Sequence, residues 1–440
     1  MKKSRKTIAA AAAALTVLLA GTGAVWNSFA AREIVLEFAM FNGSNWDVAI
    51  QDSYPVIDEA IRIFEEEHPG VRIHYDSGIP KDEYSEWLSR RMLDDSTPDV
   101  MMILDQDFSR FAELGMLENL DVRMQEDVSF EREAYYQTAL DAGRILNGQY
   151  ALPMETVPYL MFVNKTLLND ENVRMPSEDY TFSDLYAICR RVTRDTDGDG
   201  QLDQFGIYKY TWLDAAFSNG AELFSADGTK CDFTSRNLIE AIRFVKSLNA
   251  LNKNQKVTQE TFDSGKVAFM PLSLAEYRTY KSYPYKIKKY TSFQWDVLPM
   301  PKGPSGDNVS IVDSLNVGIS SRSRHKELAW EFLKLLTGDE RVQMKVFEYM
   351  PSASVLRDVT ESEQAETIIE TNLDVGEDKT IDGAFISKTI TAGRIKPKFA
   401  AYQEAVQLAD GEILKLYDED ADLDNAMRLI QRKVQSFIDK

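Results

Sequence analysis

Two prolines set inside a run of strand-forming residues limit this chain more than anything else in it. The stretch reads Gly148-Gln-Tyr-Ala-Leu-Pro-Met-Glu-Thr-Val-Pro-Tyr-Leu-Met-Phe-Val-Asn164-Lys165. Pro153 and Pro158 bracket the polar Met154-Glu155-Thr156, and Tyr159 to Val163 is pure β material. Proline cannot donate to a ladder. The pattern therefore predicts strand, break, strand, with Glu155 and Thr156 outside regular pairing and exposed in a crevice.

The segments before this stretch alternate in period. Ile34–Phe41 is near-continuously apolar, as in a strand covered on both faces. Ile57, Ala60, Ile61 and Phe64 follow at helical spacing and stop at His68-Pro69-Gly70. Val71, Ile73 and Tyr75 alternate as a strand, and Tyr84, Trp87, Leu88 and Met92 mark a second helix. Pro98–Leu104 is a buried strand, and Phe108, Phe111 and Leu114 open a third helix. This order predicts an open, mostly parallel sheet, with a ligand crevice beyond the carboxyl ends of its strands. A chain of 440 residues is too long for one small core and divides naturally into two lobes.

The later segments continue in a recognisable order: Phe293–Gly303 as strand and exit loop, Leu315–Ile319 as strand, His325–Gly338 as helix, then Met350-Pro351-Ser352 and a closing helix over Ala421–Ile438. Over roughly residues 34 to 438 the collinear set resembles the extracellular solute-binding proteins of family 1, the sugar-type substrate-binding components of ABC importers. The resemblance implies an α/β fold of two lobes, the periplasmic-binding-protein-like fold of type II, with mixed sheets flanked by helices. It places residues 31–150 and 298–349 in the N-terminal lobe and 151–297 and 350–440 in the C-terminal lobe. Hinge crossings then fall near Ala151, Pro299 and Met350. It also implies a monomeric receptor that does no chemistry, capturing a carbohydrate, an oligosaccharide above all, for a membrane permease.

Sugars present flat patches of C–H groups for aromatic faces and hydroxyls for amides and carboxylates. Trp46 follows three polar residues at a strand's exit, a poor place for a core tryptophan. Trp212 matches a family position that faces the cleft. Tyr159 and Tyr349 complete the aromatic candidates, with packing as their simpler role. Asp105 and Glu155 each directly follow a strand segment, and by resemblance face the cleft from opposite sides with Asn42, Ser273 and Asp313 or Ser314. The plainer reading of Asp105 is a helix N-cap. An exported glycoside hydrolase is the alternative, with Asp105 and Glu155 as its carboxylate pair.

Asp195-Thr-Asp197-Gly-Asp199-Gly-Gln201-Leu-Asp203 matches the first nine positions of an EF-hand-type calcium loop, with a backbone carbonyl expected from Gln201. The twelfth position, where a bidentate Glu belongs, holds Gly206. Two readings stand: a structural Ca2+ site, which would also suit a calcium-dependent glycan-binding surface protein, or an Asx-rich turn whose acids cap amides. No other cofactor is expected. Cys189 lies on an apolar helical face, which argues against pairing with Cys231, and no zinc or redox spacing exists. His68, His74 and His325 are scattered, and no nucleophile elbow, phosphate loop or zincin motif is present.

Lys2, Lys3, Arg5 and Lys6 precede the apolar Ile8–Leu19, and Ser28-Phe29-Ala30 offers small residues for cleavage before Ala31. Residues 1–30 thus read as a signal peptide, and the protein as extracellular or surface-held. Thr22 stands where a lipobox cysteine would be, so thiol lipidation there is impossible. The product is then secreted, or held by an uncleaved Ile8–Trp26 segment; the polar breaks after Gly21 favour cleavage. Losing the four cations takes the net charge from −20 to −24. So acidic a chain argues against nucleic acid and anionic lipid as partners.

Overall fold

In the computed structural model, residues 33–48, 52–94, 96–145, 147–282, 293–371, 381–418 and 422–440 are described. The expected signal peptide, and most of the Tyr/Lys-rich stretch Tyr277–Tyr290, lie outside them. The strands are β1 (Ile34–Ala39), β2 (Val71–Tyr75), β3 (Val100–Ile103), β4 (Arg144–Ile145), β5 (Gly148–Gln149), β6 (Leu152–Asn164), β7 (Phe205–Ile207), β8 (Val267–Ser273), β9 (Trp295–Leu298) and β10 (Val312–Ile319). The main sheet runs β2-β1-β3-β10-β6-β8-β7, with β9 also on β6. Its first three strands are parallel, as the alternating periods predict, and β10 joins them antiparallel. Helices cover this sheet. Tyr54–Glu67, for example, buries Val56, Ile57, Ala60, Ile63 and Phe64 and ends where Gly70 turns left-handed (φ 93°).

The bracketed stretch is a single strand of 13 residues, β6. Leu152 to Pro158 pairs with β10, and Tyr159 to Val163 pairs with β8. Pro158 stands where the ladder changes partners, so its missing N–H falls at a seam. Pro153 is accommodated by a β-bulge: Glu155 faces Leu315 and Pro153 faces Asn316, leaving Met154 as the extra residue. The bulged carbonyl of Met154 accepts from the buried Gln343 Nε2 at 3.0 Å, which also reaches the Leu336 carbonyl at 3.2 Å. Glu155 and Thr156 are therefore not outside the ladder. Thr156 pairs with Ser314, and both Glu155 and Thr156 are fully buried. Two prolines were tolerated because one sits at a bulge and the other at a partner change.

Two large cores lie on either side of this switch. The first holds Leu36, Phe64, Phe108, Leu160, Val317, Phe332 and Phe347, and the second Met161, Leu185, Phe233, Ile242, Phe269 and Ile413. A smaller cluster around Phe162, Phe262 and Met270 backs the second. The chain passes between the large cores at Leu160–Met161, between Met300 and Val312 and between Ile390 and Phe399, and Leu274, Ala275, Tyr277 and Val297, lying between second-core residues Phe269 and Leu298, also pack in the first core. Among the described residues of the stretch 350–390, Met350, Ala353, Val355, Leu356, Val359, Ala365, Ile369, Ile381, Ile386 and Ile390 pack in the first core, although the resemblance assigns 350–440 to the C-terminal lobe. The apolar spacing there marks helices but not which core they cover.

The loop 350–354 nevertheless meets the crossing strand. Thr156 and Ala353 exchange backbone hydrogen bonds of 3.1 and 2.9 Å. Arg278, on the helix Leu274–Ser282, then grips the segment before it. Its guanidinium donates to the carbonyls of Phe347 (2.6 Å), Met350 (2.8 Å) and Ser352 (2.6 Å), and lies 4.7 Å over the Phe347 ring. Burial pulls its pKa down to about 10. Arg278→Met leaves three carbonyls short of a donor and is expected to cost about 3 kcal/mol, read from the urea midpoint at an unchanged slope.

Candidate binding cleft

A cleft of about 1020 Å³ opens where β1, β3 and β8 end and β6 changes partners. The loop after β1 forms one lip. It continues the pairing past the strand, with Asn42 N–H donating to the Ile79 carbonyl at 2.6 Å. It then turns through Gly43 (φ 94°) and Asp47 (φ 56°). Lys81, the first residue of its helix, fastens this turn by donating to the Asn45 carbonyl (2.6 Å) and Asp47 Oδ1 (2.7 Å). Trp46 packs against the first core from this loop, and its Nε1 donates to Glu155 Oε2 at 3.0 Å.

Asp105 leads the helix after β3; Leu104, not Asp105, is the N-cap. Its carboxylate pairs with Lys398. Burial pushes the Asp105 pKa up, but Lys398 and Lys396 overcome this and hold it below the usual carboxylate range. Asp313, near the start of β10, pairs with Lys396 at 2.7 Å. Burial pulls the Lys396 ammonium down, and Asp313 and its neighbours more than offset that, leaving it above its ordinary value. Tyr159 lies beside this pair, its phenol pushed up by burial and by the Asp313 charge. Ser273 ends β8 and caps the next helix: its N–H and Oγ donate to Glu276 Oε2 at 2.8 and 3.0 Å.

Residues 45–343, well over half the chain, match the profile of the bacterial extracellular solute-binding proteins. The chain belongs to that family. Solved structures agree on the fold. The sugar-binding protein MalE from Xanthomonas citri superposes with a TM-score of 0.75 at 17% identity, over 92% of this chain and 97% of that one. The cyclic alpha-maltosyl-1,6-maltose binding protein of Arthrobacter globiformis gives 0.74 at 13%, over 92% and 99%. An ABC substrate-binding protein from Listeria monocytogenes, in complex with cycloalternan, gives 0.67 at 16%, over 92% and 99%. The two-lobed fold with its crossings is thus that of the solute-binding proteins.

Of the residues singled out from sequence, Asn42, Trp46, Asp105, Tyr159, Ser273, Asp313 and Ser314 line this cleft together. Three do not. Glu155 is buried behind the lip, where Trp46 and Ser352 Oγ both donate to it. Trp212 is only 2% exposed in the second core, its Nε1 donating to Asp410 at 2.8 Å. It starts a short helix capped by Thr211 and Asp214, with the ring buried. Tyr349 is 41% exposed at a helix end, with Lys345 Nζ 5.2 Å from its ring. The sequence reading missed Lys81, Glu276, Lys396 and Gln403 in the lining. A signal existed for one of them. Ile395-Lys396-Pro397-Lys398-Phe399 alternates apolar and basic residues around a proline, as an extended crossing would.

The acidic loop lies apart from the cleft lining. Carboxylate oxygens of Asp195, Asp197 and Asp199 fall within 4.8 Å of one another. Asp195 accepts from the N–H groups of Gly198 (2.6 Å) and Gly200 (2.8 Å), and these hold its pKa below the usual range. Gly198 and Gly200 both turn left-handed (φ 81° and 93°). Asp203 is tied to Thr196 and to Lys266 (3.2 Å), with the Thr196 hydroxyl the main cause of a pKa near about 2. The missing Glu at the twelfth position has a packing cause. Strand β7 runs against the helix Phe182–Val192, and a Cβ on Gly206 would meet the Cys189 Cβ at 2.4 Å and Cα at 2.5 Å. Cys189 and Cys231 are both free, buried thiols. Gly206→Ala is expected to destabilise the protein by about 2 kcal/mol through overpacking, measured by chemical denaturation in excess calcium.

Proposed function

We propose that this solute-binding protein is exported and captures a neutral oligosaccharide in the cleft for delivery to an ABC importer permease. The observation that carries this reading is the cleft itself. It sets aromatic surfaces, Trp46 and Tyr159, among carboxylates, amides and ammonium groups at the seam of both cores. Its volume stands at the upper end of the range for small-ligand pockets, enough for several sugar rings. Aromatic faces suit the C–H faces of a sugar, and Asn42, Asp105 and Asp313 suit its hydroxyls. The solved neighbours named for sugars support the same substrate class.

Closure about β6 and the other two crossings would bury the glycan, and the ligand would act by favouring that form. Hydrolysis fits less well. Asp105 and Glu155 cannot flank one bond from the cleft when Glu155 is buried behind Trp46. The signal segment 1–30, cleaved before Ala31, supplies export in this reading, with release or surface retention by an uncleaved segment as its two outcomes.

A thermal-melt screen of residues 31–440 tests it, using glucose, maltotetraose, cellotetraose, xylotetraose and chitotetraose against amino acids and peptides. A ligand bound only by the folded state raises the melting temperature by mass action. The expected result is a shift with a tetrasaccharide that is recovered whole. A shift with peptides alone, or a cleaved glycan, overturns the reading.

We assign a structural calcium site to the Asp195 loop, outside the cleft. Millimolar calcium is expected to raise the melting temperature relative to chelator. Asp195→Asn should remove that response and leave glycan affinity unchanged in titration calorimetry.

A further inference from the structure

An indole carries one polar atom, Nε1–H, and it can only donate. In Trp46 that proton is committed to Glu155 Oε2 at 3.0 Å, across 109 residues of sequence. Trp46 nevertheless lines the cleft and is only partly buried. What it leaves for a ligand is therefore ring surface, with no hydrogen-bonding group of its own. A face of that kind recognises C–H patches and discriminates little among hydroxyls.

Glu155 differs from an ordinary cleft carboxylate. It is wholly buried in the first half of β6, the strand whose two halves pair with different partners. The oxygen that receives Trp46 also receives Ser352 Oγ. The Ser352 carbonyl accepts from Arg278, and the next residue, Ala353, pairs with Thr156 on β6. A carboxylate so enclosed is costly without its donors, so the geometry of Trp46 is held firmly. One buried group thus joins the lip of the cleft, the crossing strand and the loop that Arg278 grips.

We propose that Glu155 is a positioning residue for glycan binding: it presets the Trp46 ring as a stacking platform and ties that platform to the crossing strand. The proposal rests on the glycan-binding reading above. Presetting reduces the ordering cost of binding. It also means that a ligand pressing on Trp46 acts on β6 through one hydrogen bond.

Two measurements on residues 31–440 test this. The first is the indole N–H spectrum of ¹⁵N-tryptophan-labelled protein, with the Trp46 signal assigned by Trp46→Phe. In the wild type that proton should lie downfield and exchange slowly with water, and Glu155→Gln should move it upfield. A fast-exchanging Trp46 signal in the wild type, or one unmoved by Glu155→Gln, overturns the proposal. The wild-type arm stands even if the variant does not fold.

The second is affinity for the same panel of sugars. Glu155→Gln should weaken binding by about tenfold, the scale of one well-placed hydrogen bond. The double variant with Trp46→Phe should bind no worse than Trp46→Phe alone. Losses that multiply contradict a positioning role. If no panel sugar binds the wild type, the functional reading fails separately, and the indole spectrum still decides whether Glu155 positions Trp46.

Discussion

One backbone serves both cores. Strand β6 is bonded to β10 over its first half and to β8 and β9 over its second. Every buried N–H and C=O along it must find a partner, and a strand shared by two half-sheets has few spare positions. The two prolines and the Met154 bulge fall where that requirement relaxes, and Gln343 supplies the hydrogen bond that the bulge leaves open. The cleft forms beside the change of partner because Tyr159, Ser273 and Asp313 converge there from three strands. Removing the continuity of β6 would separate the cleft walls as well as the cores.

Charge in the cleft is largely matched within the protein. Asp47 pairs with Lys81, Asp313 with Lys396 and Asp105 with Lys398. Two of these lysines come from one extended segment, whose neighbour Phe399 packs in the second core, while both of their acids sit at strand ends of the first half-sheet. Such pairs satisfy groups that a bare apolar cleft could not hold. They leave a surface rich in fixed dipoles and short of unpaired cations, which suits a neutral, hydroxyl-bearing ligand better than an anionic one. Export and transfer to a permease belong to the proposed role.

Much of this was legible in the residues. The β-α-β-α-β-α alternation gave the parallel half of the sheet, and the polar loop before Trp46 marked the lip of the cleft, because local period and turn chemistry decide both. Pairing across distant sequence was not legible. Pro153 looked like a strand break because nothing nearby reveals a bulge opposite Leu315 and Asn316. Trp212 looked like a cleft aromatic because its partner, Asp410, lies 198 residues away. Gly206 looked like a defect in a calcium loop, although its cause is the approach of β7 to Cys189. In each case the deciding contact is tertiary, and no window of sequence contains it.

In the proposed role, a glycan bound at the seam of the two cores draws them together about β6. Small-angle X-ray scattering of residues 31–440, with and without a saturating panel sugar shown to bind, tests it most directly. The account predicts a smaller radius of gyration in the bound sample, with the change absent for non-binding sugars. An unchanged radius at full occupancy would contradict closure and make the cleft a rigid site.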